Sequence, residues 1–172
     1  TGAARFGRYR AGCSGGFLPN LLAVMAEAPA LLKAYRALSE ALEQASLSPS
    51  ERQVVLLTAS YENGCDYCVA AHSVIAGMQK VPGDVVEAIR SGAPIAERKL
   101  EALRRFTSAI VVSRGLPTEA ELAAFQSAGY GRAQVLEVVL GVGMKTLSNY
   151  TNHIADTPLD REFAGAAWAK AA

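Results

Sequence analysis

The chain has 172 residues, of which 51% are hydrophobic and 19% charged; the length fits a single core and the composition lies far from that of disordered chains. Seventeen Lys and Arg against sixteen Asp and Glu leave a net charge of +1, with no one-sided basic run beyond Arg5, Arg8 and Arg10, which argues against a nucleic-acid partner. No apolar stretch reaches the roughly 20 residues that span a bilayer, and three cysteines are too few, and odd in number, for a disulfide scaffold, so a cytoplasmic protein with no membrane association is expected.

Residues 1–20 carry scattered Arg and Gly without an apolar signal core and read as an N-terminal arm; residues 21–172 read as one helical domain. Over residues 30–45, Leu31, Leu32, Tyr35, Leu38 and Leu42 recur at helical spacing with charges between them. Ser48-Pro49-Ser50-Glu51 is a capping box with Pro at the first helical position, opening a helix that runs to about Asn63. Gly64 can take the left-handed conformation that closes a helix, so Cys65 opens the next, to about Gly77. A short helix over 81–91 starts at Pro82, and 95–113 is a longer one with Leu100, Leu103, Phe106 and Ile110 on one face. Thr118 and Glu121 form a second capping box, with Gly129 as the stop. Residues 132–155 carry Leu136, Val139, Leu140, Gly143, Leu147 and Tyr150 over six turns, a helix expected at the centre of the core. Thr157-Pro158 begins a last short helix containing Phe163 and Trp168. No stretch alternates strictly, so the fold class is all-α, a single helical bundle. Apolar excess at residues 54–57 and 135–142 is of the kind buried between subunits, and a homo-oligomer is expected.

The chemistry is concentrated in Cys65-Asp66-Tyr67-Cys68-Val69-Ala70-Ala71-His72, inside a candidate redox core spanning 48–77. At a helix start the unpaired N–H groups and the macrodipole stabilise a thiolate, which favours Cys68 in the first turn as the activated thiol. His72 follows one turn later on the same face, within reach of the Cys68 sulfur directly or through a water. Cys65, three residues before Cys68, can close a small-loop disulfide with it, so a cycle is expected in which Cys68 attacks peroxide and Cys65 captures the sulfenic acid. Two bland readings compete. A structural zinc site needs four ligands, and beyond Cys65, Cys68 and His72 only Cys13 and His153 remain, far apart in sequence; no metal or cofactor is expected. The other is a buried, inert cysteine pair beside a core histidine. Tyr67 is placed to shape access to the sulfurs, His153 is weighted toward satisfying carbonyls at a helix end, Cys13 sits in the arm, and Glu62 is assigned to the solvated end of its helix.

Residues 47–55 leading into 63–72, with Phe17-Leu18-Pro19-Asn20 and the run from Asn149 to Asp160, resemble the carboxymuconolactone decarboxylase superfamily and, within it, the AhpD-like alkylhydroperoxidase branch. The resemblance implies an AhpD-like helical bundle assembling as trimers or hexamers, reducing hydrogen peroxide or organic hydroperoxides. It further implies Cys68 as the peroxidatic cysteine, Cys65 as proton donor and resolving partner, and His72 as a proton relay. The partners it implies are a dithiol reductant such as a lipoylated protein, and a peroxiredoxin as electron acceptor. The family's relay glutamate is replaced here by Gln53, an amide that orients a water but takes up no proton. That departure keeps open a redox sensor or disulfide reductase with little peroxidase turnover. A decarboxylase-like lyase is the further alternative, although that chemistry needs no paired cysteines.

Overall fold

In the computed structural model, Ser48 accepts from the Glu51 N–H and Glu51 reaches back to the Ser48 N–H, as the capping box requires, and the helix it opens is buried all round. The structure describes residues 17–170, so Cys13 and nearly all of the expected arm lie outside the described residues. Among the described residues eight α-helices follow one another: α1 (Asn20–Met25), α2 (Pro29–Glu43), α3 (Pro49–Glu62), α4 (Asp66–Met78), α5 (Gly83–Ser91), α6 (Arg98–Val112), α7 (Glu119–Ser127) and α8 (Arg132–Ala155). A 3₁₀ turn (Arg161–Ala166) comes last, and no strand occurs among the described residues. The all-α expectation holds.

The central element is α3. Val54, Val55, Leu57 and Ala59 are each at most 1% exposed, and the helix is flanked by α4, α5, α6 and α8. Each of the valine and leucine side chains contributes about 1.5–3 kcal/mol of transfer free energy. A second cluster, with Leu21, Met25, Leu32 and Phe163, wraps the start of α4. At the far end Phe106, Phe125 and Tyr130 stack in series, ring centroids 4.3 and 4.5 Å apart. Among the described residues, no helix is long and apolar enough to cross a membrane.

Three expectations are corrected. Helix α8 keeps its expected bounds but is not the centre: Leu136, Val139 and Tyr150 are 69%, 48% and 54% exposed, and its buried face is Val138, Gly141, Met144, Lys145, Ser148, Asn149 and Asn152. The apolar stripe therefore faces outward, and a largely polar stripe faces the core. Gly141 permits the contact, since a Cβ there would lie 2.7 Å from Val55 Cγ1 of α3. The last helix is shorter than expected: it holds Phe163 but not Trp168, whose indole N–H instead donates to the Arg90 carbonyl at 2.8 Å. Glu62 is not on a solvated end; it accepts from Ser108 Oγ at 2.6 Å, with Lys170 4.0 Å away. In addition α1 begins inside the expected arm, after Pro19 and without a side-chain cap.

Candidate active site

Cys65 is held by two helices at once. As α3 ends, the Gly64 N–H donates to Tyr61 O at 3.0 Å and the Cys65 N–H to Ser60 O at 2.9 Å, the paired bonds of a Schellman turn, with Gly64 at φ 64°. The same Cys65 is the N-cap of α4, its carbonyl accepting from the Val69 N–H at 3.0 Å. Cys68 then falls in the first turn of α4, and both cysteines are 1% exposed and unbridged.

Helix α8 supplies what faces the sulfurs. Asn152 Nδ2 donates to Cys68 Sγ at 3.2 Å and lies 3.8 Å from Cys65 Sγ, while Ser148 Oγ is 3.9 Å from Cys68 Sγ. One turn earlier Lys145 is 1% exposed, and none of the described carboxylates is paired with its ammonium. Asn149, between them, accepts from Asn63 Nδ2 at 2.9 Å and so fastens α8 to the end of α3.

This arrangement separates the two thiols. The Cys65 S–H donates toward Cys68, and that hydrogen bond, with the Lys145 charge beside it, holds the Cys68 thiol well below its ordinary value despite burial. The same bond, with burial, pushes Cys65 far above its own. Both shifts favour negative charge on Cys68 over Cys65. Burial opposes the Lys145 charge, but the neighbouring Cys68 and Tyr35 hold the ammonium above the ordinary lysine value. A buried cation needs a counter-ion, and the Cys68 sulfur lines the same cavity as Lys145.

His72 turns toward Gln53, its Nδ1 3.0 Å from Gln53 Oε1, while Gln53 Nε2 donates to Gln79 Oε1 at 3.1 Å. An amide oxygen only accepts, so Nδ1 carries the proton and Nε2 is the basic nitrogen. Burial, with Lys145 nearby, depresses the imidazole well below its usual range, so it is neutral at pH 7. Cys68, His72, Gln53, Lys145 and Tyr35 line one cavity of about 530 Å³, walled otherwise by apolar side chains such as Leu56 and Ile75 and by the polar Ser39, Glu43, Arg52 and Gln79. Tyr67 accepts from the Leu21 N–H at 3.3 Å and donates to the buried Asp160 carboxylate, which also accepts from the Asn20 N–H at 3.1 Å. His153 is exposed, away from this cavity. Among the described residues no group of three or more His, Cys, Asp or Glu side chains converges as a metal ion would require.

The structure thus brings Cys65, Cys68, His72 and Gln53 together and adds Lys145, Ser148 and Asn152, which the sequence reading did not single out. Their signal was present: Lys145, Ser148, Asn149 and Asn152 recur at i, i+3, i+4 and i+7, a polar stripe along an otherwise apolar helix.

Residues 29–109 match the profile of the carboxymuconolactone decarboxylase family. No curated protein matches the sequence. Among solved structures the chain is similar to an uncharacterized peroxidase-related protein from Silicibacter sp. TM1040, at 20% identity and TM-score 0.81, covering 94% of this chain and 88% of that one. It is similar to an alkylhydroperoxidase AhpD core protein from Ralstonia eutropha JMP134, at 24% identity and TM-score 0.74, covering 87% and 80%. It is also similar to the debrominase Bmp8, at 19% identity and TM-score 0.76, covering 88% and 82%; a cysteine variant of that protein was solved with 2,3,4-tribromopyrrole. These likenesses establish an AhpD-like fold.

Proposed function

We propose that this chain, whose residues 29–109 match the carboxymuconolactone decarboxylase family profile, is a dithiol peroxidase that reduces hydroperoxides through Cys68 and Cys65. The observation that carries this reading is geometric: Cys68, in the first turn of α4, opens onto the cavity that the buried Lys145 and His72 also line, with Asn152 Nδ2 3.2 Å from its sulfur and Cys65 three residues before it; the depressed Cys68 and raised Cys65 thiols agree with it. Inert core cysteines need no such charge arrangement.

The Cys68 thiolate attacks the terminal oxygen of ROOH, the O–O bond breaks, and the departing alkoxide takes the Cys65 proton to leave as ROH. Cys68 is now a neutral sulfenic acid, so the charge that held the Cys65 proton in place is gone. The Cys65 thiolate attacks the Cys68 sulfur and expels hydroxide, and the disulfide stores two oxidising equivalents. His72 Nε2 moves a proton between the cavity and the departing hydroxide, while Gln53 fixes the ring. The exposed apolar stripe of α8, from Leu136 to Ile154, is the face that we assign to a second copy, testable by light scattering.

The test is single turnover. Reduced Cys65→Ser treated with one equivalent of cumene hydroperoxide gives a Cys68 sulfenic acid, captured by dimedone, and no disulfide; Cys68→Ser consumes none. Consumption by both variants, or by neither, refutes the reading. A second reading, reductive removal of bromide from a small aromatic, in which the ring carbon gains a proton and the Cys68–Cys65 dithiol supplies two electrons as it closes to the disulfide, is favoured by the likeness to Bmp8 together with cavity-wall residues such as Leu56 and Ile75. Bromide release from tribromopyrrole by the reduced protein tests it.

A further inference from the structure

The two sulfurs open in different directions. Cys68 lines the 530 Å³ cavity described above, whereas Cys65 lines a separate hollow of about 370 Å³ with Asn152, Asp66, Asp156 and Thr157. Among the described residues Tyr67 alone lines both, and its hydroxyl is tied to Asp160, so the wall between the hollows is braced. Two polar atoms on the second hollow, Asn152 Oδ1 and Thr157 Oγ1, are buried and have no hydrogen-bond partner among the described residues. Orphaned polar atoms cost free energy unless something arrives to satisfy them. Asp66 and Asp156 are exposed at the same hollow.

We propose that this second hollow is where a dithiol reductant, neutral or cationic near its sulfurs, attacks Cys65 of the oxidised pair and expels Cys68 as the leaving thiolate. The inference rests on the dithiol–disulfide reading above and adds the side from which electrons arrive. Thiol–disulfide exchange favours departure of the better-stabilised thiolate, and Lys145 and Asn152 stand beside Cys68. Attack in line with the S–S bond must then approach Cys65 from the side away from Cys68, and the second hollow is lined by Cys65 and not by Cys68. The incoming thiolate bonds to Cys65 Sγ and the Cys65–Cys68 bond breaks. The reductant's second thiol then attacks its own sulfur of the mixed disulfide, releases Cys65 as a thiolate, and leaves as a cyclic disulfide, so two electrons pass to the protein. Asn152 Oδ1 and Thr157 Oγ1 are placed to bind the reductant's polar groups, and the two carboxylates disfavour anionic thiols.

Cysteamine, 2-mercaptoethanol and 2-mercaptoethanesulfonate share a two-carbon skeleton and carry cationic, neutral and anionic tails. With the disulfide closed by diamide in the full chain, their thiolate-corrected rates are expected to fall in that order, the extremes differing by about tenfold at low salt. In Asp66→Asn, Asp156→Asn that ratio collapses to within about twofold; Asn tolerates the left-handed backbone at 156, where φ is 46°. Because the readout is a ratio, a change in the disulfide's own reactivity cancels. Acid quenching of wild type, alkylation and peptide mapping should find the thiol on Cys65 and the alkyl group on Cys68, a result that needs no variant. An adduct on Cys68, or an order insensitive to tail charge, overturns the proposal. Closure by diamide but not by hydroperoxide overturns the peroxidase reading alone, and closure by neither overturns both.

Discussion

Replacing Lys145 by Met removes the ammonium beside Cys68 while keeping a side chain of similar length in a site that is 1% exposed. Two unit charges roughly 5 Å apart at an effective dielectric constant of about 20 attract by about 3 kcal/mol, equivalent to about two pH units of thiol titration. The Cys65 hydrogen bond and Asn152 Nδ2 stay in place, so the Cys68 midpoint should rise by about two units rather than return fully to that of an ordinary thiol. Iodoacetamide alkylation across pH 4–9, resolved by peptide mapping, measures it directly. Cys68 can protonate once the cation is gone, so no charge is stranded, and unfolding free energy should change by less than about 2 kcal/mol. A folded Lys145→Met protein whose Cys68 profile is unmoved would refute the charge-pair argument.

His72 offers a pH test of a different kind. Its folded value is depressed, so below the unfolded value of about 6.5 the unfolded chain binds a proton that the folded chain refuses, and stability falls with pH. The depressed Cys68 acts in the same direction, since it is ionised when folded and protonated when unfolded. Between pH 6.5 and 5, wild type should therefore lose stability more steeply than His72→Gln by about 1.4 kcal/mol per pH unit, measured by urea unfolding; equal slopes would contradict a buried neutral imidazole. Gly141→Ala places a Cβ against Val55 on the central helix and should destabilise by about 1–3 kcal/mol. Gly143→Ala, in open space, should be neutral or slightly stabilising by the same measurement.

Features encoded within a few residues were legible. Ser48 with Glu51 and Thr118 with Glu121 form capping boxes where expected, and the six-turn helix has the expected limits. The local spacing of Cys65, Cys68 and His72 was visible, and Gln53 proved to be the residue that His72 bonds. Lys145 and Asn152 were not seen because their role depends on α8 crossing the start of α4, with Asn152 84 residues from Cys68. Periodicity locates two faces on a helix but does not say which one is buried. On α8 the apolar stripe was taken for the core face, whereas buried charge, hydroxyl and amide groups occupy that side, where Ser148 and Asn152 face the Cys68 sulfur. The α1 turn escaped because it has no capping side chain, and Trp168 because its indole packs on Tyr61 from irregular chain.

The most direct measurement is the intact mass of fully reduced protein before and after one equivalent of cumene hydroperoxide, with peptide mapping. A loss of two hydrogens mapped to Cys65–Cys68, with one equivalent of alcohol formed, is the expected result. Hydroperoxide left unconsumed with both thiols still alkylatable would contradict the assignment of these cysteines as a peroxide-reducing pair.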